Sequence, residues 1–265
     1  SRELHRREPI LEMCPVASAI ELLATSGGIE IRGAVFTRHE VVDFLLDLTG
    51  YTADSELSDL RLLEPSFGRG DFLLPAVERL LTCWKATKNV RDPFGALSNC
   101  IRAVELHRKT FAQTKSKVVR KLVEFGIRPN KANALANAWL INDDYLLTDI
   151  DGEFDVVIGH PPYVRQELIP DILLSEYRTR YSTVYDRADL YVPFNERSLL
   201  SLAPKGMLGF ICADRWMKNR YGGPLRKLVA DNFHLKIYVD MVNTPAFRSD
   251  VIAYPAITLI ARERG

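Results

Sequence analysis

Residues 60–84, LRLLEPSFGRGDFLLPAVERLLTCW, decide how the chain is read. Leu60 to Leu63 form a short apolar run suited to a buried strand. Glu64 to Gly70 break it with a proline and two glycines, and Asp71 to Trp84 resume with apolar residues at helical spacing. A strand, a glycine turn and a helix in that order is the opening unit of an α/β sheet. Such a turn exposes backbone N–H groups and lets a ligand approach the chain closely, which marks Gly68 and Gly70 as a candidate cofactor loop. An ordinary tight strand-to-helix turn leaves the same signature, so the loop needs support from elsewhere.

The loop itself argues against two common ligands. Leu73 stands where a dinucleotide fingerprint has its third glycine, and no Lys-Ser or Lys-Thr follows as a phosphate-binding P-loop requires. Downstream, Cys100 to Leu106 read as a second strand that carries Glu105 near its end, where a carboxylate with two acceptor oxygens can take two ribose hydroxyls. A solvated acid at a strand end would look the same. Two helical stretches follow, broken at Gly126 to Asn130. Asp144 and Tyr145 then precede the next strand, placed to bind an adenine amino group and to pack against its ring. Phe154 to Ile158 form that strand and run into Gly159-His160-Pro161-Pro162-Tyr163. Met207 to Cys212, Leu235 to Val239 and Ala256 to Ala261 supply three more.

Upstream, Ile10 to Thr25 read as a helix stopped by Gly27-Gly28, followed by a connection through Gly33. Thr37 then caps a helix carrying Val41, Val42, Phe44, Leu45 and Leu48. Strands alternating with helices imply an α/β chain with a doubly wound, mostly parallel sheet. Residues 1–34 are expected to be an N-terminal helical extension and residues 35–265 the main domain.

With 265 residues, 47% hydrophobic and 26% charged, the chain can bury a sizeable core. The net charge of +1 gives no global basic field, so any nucleic-acid contact must use local patches. Arg215-Trp216-Met217-Lys218-Asn219-Arg220 through Arg226-Lys227 is one: five basic residues and no acid beside a tryptophan. A solvated loop explains it equally well. The four cysteines lie far apart and the five histidines show no ligand spacing, so neither a disulfide scaffold nor a metal site is expected. No stretch approaches the roughly 18 apolar residues of a membrane span, and Ser1 to Glu8 do not read as a signal peptide, so a cytoplasmic protein is expected. The chain opens on Ser1 and closes on Arg262-Glu263-Arg264-Gly265 just after a strand-like run, as expected of a piece of a longer polypeptide.

The segment Phe154-Asp155-Val156-Val157-Ile158-Gly159-His160-Pro161-Pro162-Tyr163-Val164-Arg165-Gln166-Glu167 resembles the Asn-Pro-Pro-Tyr region of γ-class adenine-N6 DNA methyltransferases, with His160 in place of the Asn. The resemblance runs from about Val35 to Ala261 and is to TaqI-like and type IIG-like enzymes, above all the large restriction-modification methyltransferases that fuse this domain to a target-recognition region. It implies a Rossmann-like S-adenosylmethionine-dependent methyltransferase sheet, with S-adenosylhomocysteine as product and double-stranded DNA as partner. By the same resemblance Thr37 touches the methionine carboxylate, although Arg38 replaces the usual proline. Glu64, Pro65, Ser66, Phe67, Gly68 and Gly70 hold the methionyl part, Glu105 with Leu106 the ribose, and Asp144 with Tyr145 the adenine.

In that family the motif activates a poor nucleophile. The Asn oxygen and the first proline's carbonyl, here that of Pro161, accept the amino hydrogens, Pro162 stiffens the turn, and the aromatic, here Tyr163, stacks on a flipped base. Positioning rather than acid–base chemistry or a metal carries such a transfer. Arg165 and Gln166, together with Arg215, Lys218 and Arg220, are the candidate DNA contacts; Phe247 and Tyr254 can border the base pocket or pack in the core. His160 leaves three readings open: an engineered silencing substitution, a natural inactive homologue that keeps its cofactor site, or a tolerated variant. Protein-glutamine and RNA methyltransferases use the same tetrapeptide. The Thr37 helix, the Val164 to Glu167 tail and the segment from Asp189 to Arg226 resemble the DNA enzymes instead. The recognition sequence is not legible, because the region expected to read base edges is expected to lie elsewhere.

Overall fold

The computed structural model describes residues 14–26, 37–87, 92–242, 244 and 254–263. Seven strands form one sheet: β1 (Leu62–Glu64), β2 (Ile101–Val104), β3 (Leu140–Ile141), β4 (Phe154–Gly159), β5 (Leu202–Ala213), β6 (His234–Asp240) and β7 (Pro255–Ala261). Their order is β3-β2-β1-β4-β5-β7-β6. The strands from β3 to β5 pair in parallel, and β7 runs antiparallel between β5 and β6. This is the expected doubly wound, mostly parallel sheet with one reversed strand.

Alternation along the strands assigns each face its own core. Leu62, Ile101, Ala103, Val156 and Ile158 enter one cluster, while Leu63, Val104 and Val157 enter the other. The first face is covered by α2 (His39–Leu48), α3 (Leu73–Ala86), α5 (Arg108–Glu124) and α6 (Pro129–Trp139), the short α4 (Pro93–Leu97) preceding β2. The opposite face is covered by α1 (Pro15–Thr25), α7 (Asp171–Arg180), α8 (Tyr191–Leu200) and α10 (Gly223–Asn232). Both faces are thereby buried, which is why the strands read as apolar runs.

Several boundaries differ from the sequence reading. β3 goes unread because two residues directly following a helix carry no periodicity; pairing of Leu140 with Ala103 and of Ile141 with Val104 defines it. β5 begins at Leu202, upstream of the expected Met207, because Pro204-Lys205-Gly206 read as a break. The chain absorbs the irregularity with Lys205 at φ +66° and a register shift opposite Phe154 and Val156. Thr37 does not cap the second helix: α2 begins at His39 with Arg38 at its N-cap, and the Thr37 side chain turns to another partner. The expected N-terminal helix appears as α1, which starts at Pro15 and packs against α5 and α7 through Ala19, Val16 and Ile20. Residues 10–13, the Gly27 to Gly33 connection, the boundary expected at 34, and Phe247 lie outside the described residues. Among those described, no helix is long and apolar enough to cross a membrane.

After β5 the chain forms the short α9 (Arg215–Lys218) and turns tightly into α10. A β-carbon added to Gly222 would stand 1.8 Å from the carbonyl oxygen of Trp216, whereas one on Gly223 meets nothing nearer than the Arg226 guanidinium at 3.8 Å. Gly222→Ala is therefore expected to lower unfolding stability by about 1–3 kcal/mol or more, and Gly223→Ala to change it by less than about 0.5 kcal/mol. Urea titration of both variants checks the contrast, and equal effects would show that the turn relaxes.

Candidate active site

β1 ends on Glu64, Glu105 directly follows β2, and His160 directly follows β4, so all three reach the same carboxyl edge of the sheet. The chain passes outward from β1 to β3 and returns beside β1 as β4, and a crevice opens where the order reverses. A cavity of about 700 Å³ occupies it. Every cofactor residue expected from the sequence except Gly70 lines this cavity, and from the motif His160 and Pro162 do. Pro161 is buried and is not among the residues lining the cavity. Tyr163, expected to face a substrate ring, is turned inward instead, where its ring meets His160 edge-on at 5.0 Å and Tyr191 at 6.0 Å.

The glycine turn is held in shape from below. Gly68 and Gly70 adopt φ of +50° and +89°, and a β-carbon on Gly70 would press on Leu74 and Thr114 at 3.0 Å. Gly70 thus shapes the loop rather than touching the cavity. The Gly68 N–H donates to one oxygen of Glu105 at 2.9 Å and the His107 N–H donates to the other at 2.7 Å. Each carboxylate oxygen keeps further acceptor capacity, so a fixed Glu105 can still take a pair of hydroxyls.

Glu64 is only 1% exposed, and its Oε2 has no hydrogen-bond partner although the side chain lines the cavity. Burial first, then the nearby Asp71 and Glu105, hold its carboxyl well above the usual carboxylate range. A cationic ligand group would relieve that penalty. Asp144 is also buried: its Oδ1 accepts from the Leu146 N–H at 2.7 Å and its Oδ2 from the Tyr177 hydroxyl. Burial raises its pKa, and the Tyr177 hydrogen bond pulls it back. Tyr145 donates to or accepts from Ser198 Oγ at 3.0 Å, packs on Phe194 at 5.0 Å and carries the Arg197 guanidinium over its ring at 4.6 Å. Tyr145 lines the cavity together with Phe194 and Tyr177.

His160 lies in the wall with Nδ1 3.4 Å from Thr37 Oγ1, and burial pushes its pKa down to about 3. The ring is neutral across the ordinary working range. Thr37 also donates its backbone N–H to Asp71 Oδ2 at 3.1 Å.

Some lining residues carried no signal in the sequence. The last turn of α1, from Leu23 to Ser26, closes one side, tied by His107 Nε2 to the Ser26 carbonyl at 3.1 Å and by Arg108 to Glu21 at 2.5 Å. The candidate DNA contacts divide. Arg165, Arg215 and Arg220 are exposed, and the first two act together on Asp189, whose carboxyl burial raises and the guanidiniums lower. Arg215 also lies over the Tyr254 ring at 5.7 Å. Lys218 is exposed, but its ammonium is bound to the buried Asp214. Gln166 points inward instead of toward a ligand: it starts a short 3-10 helix and its amide joins the Asp186 carbonyl to Arg178. Arg226 and Lys227, also in the basic run, serve the Trp216 and Asn219 carbonyls and Asp231. Among the described residues no group of His, Cys, Asp and Glu could hold a metal ion.

The raised pKa of Glu64 has a stability consequence. Its contribution is fully present below the unfolded value near 4.5 and is lost as pH rises through the higher folded value. Ligand-free Glu64→Gln is therefore expected to gain stability over the parent at pH 8 and to lose that advantage at pH 5. Denaturant titrations at the two pH values test this, and an advantage independent of pH would contradict it.

Residues 48–247 match the family described as Eco57I restriction-modification methylase. The chain is 63% identical over 253 residues to the type II methyltransferase M.PaeR7I of Pseudomonas aeruginosa, covering 96% of this chain and 44% of that protein. It is 51% identical over 234 residues to M.XhoI of Xanthomonas vasicola, covering 88% and 43%. It thus spans less than half the length of these relatives. Among solved structures, a Listeria monocytogenes protein assigned to the class I S-adenosylmethionine-dependent methyltransferases superposes with a TM-score of 0.62 at 14% identity, covering 92% of this chain and 65% of the other. That likeness concerns the fold alone, but the match over residues 48–247 settles the family: this chain belongs to the Eco57I restriction-modification methylases.

Proposed function

We propose that the chain binds S-adenosylmethionine in the cavity at the carboxyl edge and directs its methyl group to the N6 amino nitrogen of an adenine in double-stranded DNA, as the catalytic part of a site-specific methyltransferase. One observation carries the reading: Glu64, Glu105 and Asp144 stand on successive segments around one cavity that His160 and Pro162 also line. The unpartnered, buried Glu64 suits a ligand with a cationic end, the fixed Glu105 suits a diol, and Tyr145 with Phe194 suits a flat ring. The names of the relatives, type II methyltransferases, agree with it.

The cofactor supplies an electrophilic methyl group on a sulfonium centre. The protein's task is positioning and preorganised polarity. Glu64 at the end of β1 would anchor the methionyl part of the cofactor, Glu105 beyond β2 its ribose and Asp144 with Tyr145 its adenine, and by the motif resemblance the Pro161 carbonyl would accept from the reacting amino group. The exposed Arg165 and Arg215, which both act on Asp189, are the candidate phosphate contacts of this reading. Adenine specificity follows from the motif resemblance.

His160 favours a second reading, a module that binds cofactor without efficient turnover. A neutral imidazole has one donor and one acceptor nitrogen, whereas an Asn side-chain oxygen only accepts. Losing such an acceptor costs on the order of 10²–10³ in rate.

His160→Asn is therefore expected to raise single-turnover methyl transfer to DNA by about 10²-fold. Digestion of the product to nucleosides, followed by mass spectrometry, is expected to find N6-methyladenine. Methyl on cytosine, or no transfer by a His160→Asn protein that binds cofactor, would overturn the adenine reading.

A further inference from the structure

Thr37 and His160 come from segments 123 residues apart and meet at the wall of the cavity. We infer that Thr37 is a positioning residue that fixes the tautomer of the His160 ring, its hydroxyl donating to Nδ1 so that the ring proton resides on Nε2. Thr37 is 1% exposed, and its backbone N–H is committed to Asp71 Oδ2. That leaves the hydroxyl proton to be placed in a buried setting, where an unmade hydrogen bond is costly. Among the described residues, His160 Nδ1 at 3.4 Å is the acceptor in reach of Thr37 Oγ1. The ring is uncharged, because burial holds it so. A neutral imidazole carries one proton, so a donor directed at Nδ1 places that proton on Nε2.

The consequence rests on the proposed function. An adenine amino group at this position presents two hydrogens and needs two acceptors. By the motif resemblance the Pro161 carbonyl is one; His160 Nε2 is buried and, protonated in this tautomer, provides no acceptor for the other. The Thr37–His160 pair thereby sets the polarity of the motif against an amino substrate. With its hydroxyl removed, the Nδ1–H form, whose Nε2 accepts, becomes populated.

Long-range proton–nitrogen correlation spectra of the chain labelled with ¹⁵N-histidine read the tautomer directly, with the His160 signals assigned by their loss in His160→Asn. The expected result is a pyridine-like Nδ1 and a pyrrole-like Nε2 in the parent, the same pattern in Thr37→Ser, and a shift of both nitrogens toward averaged values in Thr37→Val. A pyrrole-like Nδ1 in the parent would overturn the inference. So would a Thr37→Val spectrum identical to the parent's, and if that variant does not fold, the parent and Thr37→Ser spectra decide. The spectra need neither cofactor nor DNA. A wrong tautomer therefore leaves the methyltransferase reading standing, and absent methyl transfer leaves the tautomer standing.

Discussion

Two backbone N–H groups converge on the carboxylate of Glu105, one from the glycine turn after β1 and one from the start of α5 after β2. Hydrogen bonds to an ionised acceptor are stronger than neutral ones, and this pair welds the ends of two neighbouring strands into one rim. The Thr114 hydroxyl adds a hydrogen bond to the Gly68 carbonyl at 2.8 Å, and Asn142 holds the carbonyl of Glu105 at 2.7 Å. The glycine turn, the second strand and the segment after β3 are thus positioned relative to one another before any ligand arrives. The cavity inherits its shape from that rim.

Around the rim, polarity is arranged in sequence. Glu64 is the least exposed of the three acids and is held toward its neutral form, Glu105 is fixed by donors, and Asp144 is closed by Tyr177 from α7. Asp144 was expected to meet an adenine amino group. Its hydrogen bonds run inward to Leu146 and Tyr177, so any ligand contact uses its remaining acceptor capacity. α1 completes the enclosure through Ser26 and Glu21. At the reacting end the ring of His160 meets the hydroxyl of Thr37.

What the sequence made legible was local. Leu60 to Trp84 specify strand, turn and helix by periodicity and glycine placement, and Glu105 is recognisable because an acid ends an apolar run. Contacts between distant segments were not legible. Asp144 with Tyr177 spans 33 residues and Ser26 with His107 spans 81, and neither partner carries a pattern in its own neighbourhood. The inward turn of Tyr163 and Gln166 is set by packing against Tyr191 and by the Asp186 turn, whose φ of +55° no composition rule anticipates. Thr37 read as a cap because threonine before an apolar run is usually one; here tertiary contact with His160 and Asp71 takes its place.

The central claim is that the rim built on Glu105 holds S-adenosylmethionine. Calorimetric titration of the folded chain with the cofactor, beside Glu105→Gln, tests it most directly. Glutamine replaces one acceptor oxygen with a donor, so it loses a rim hydrogen bond and a hydroxyl acceptor together. The account predicts saturable one-site binding by the parent and a loss of about 10-fold or more in Glu105→Gln. No binding by the folded parent, or equal binding by the two proteins, would contradict it.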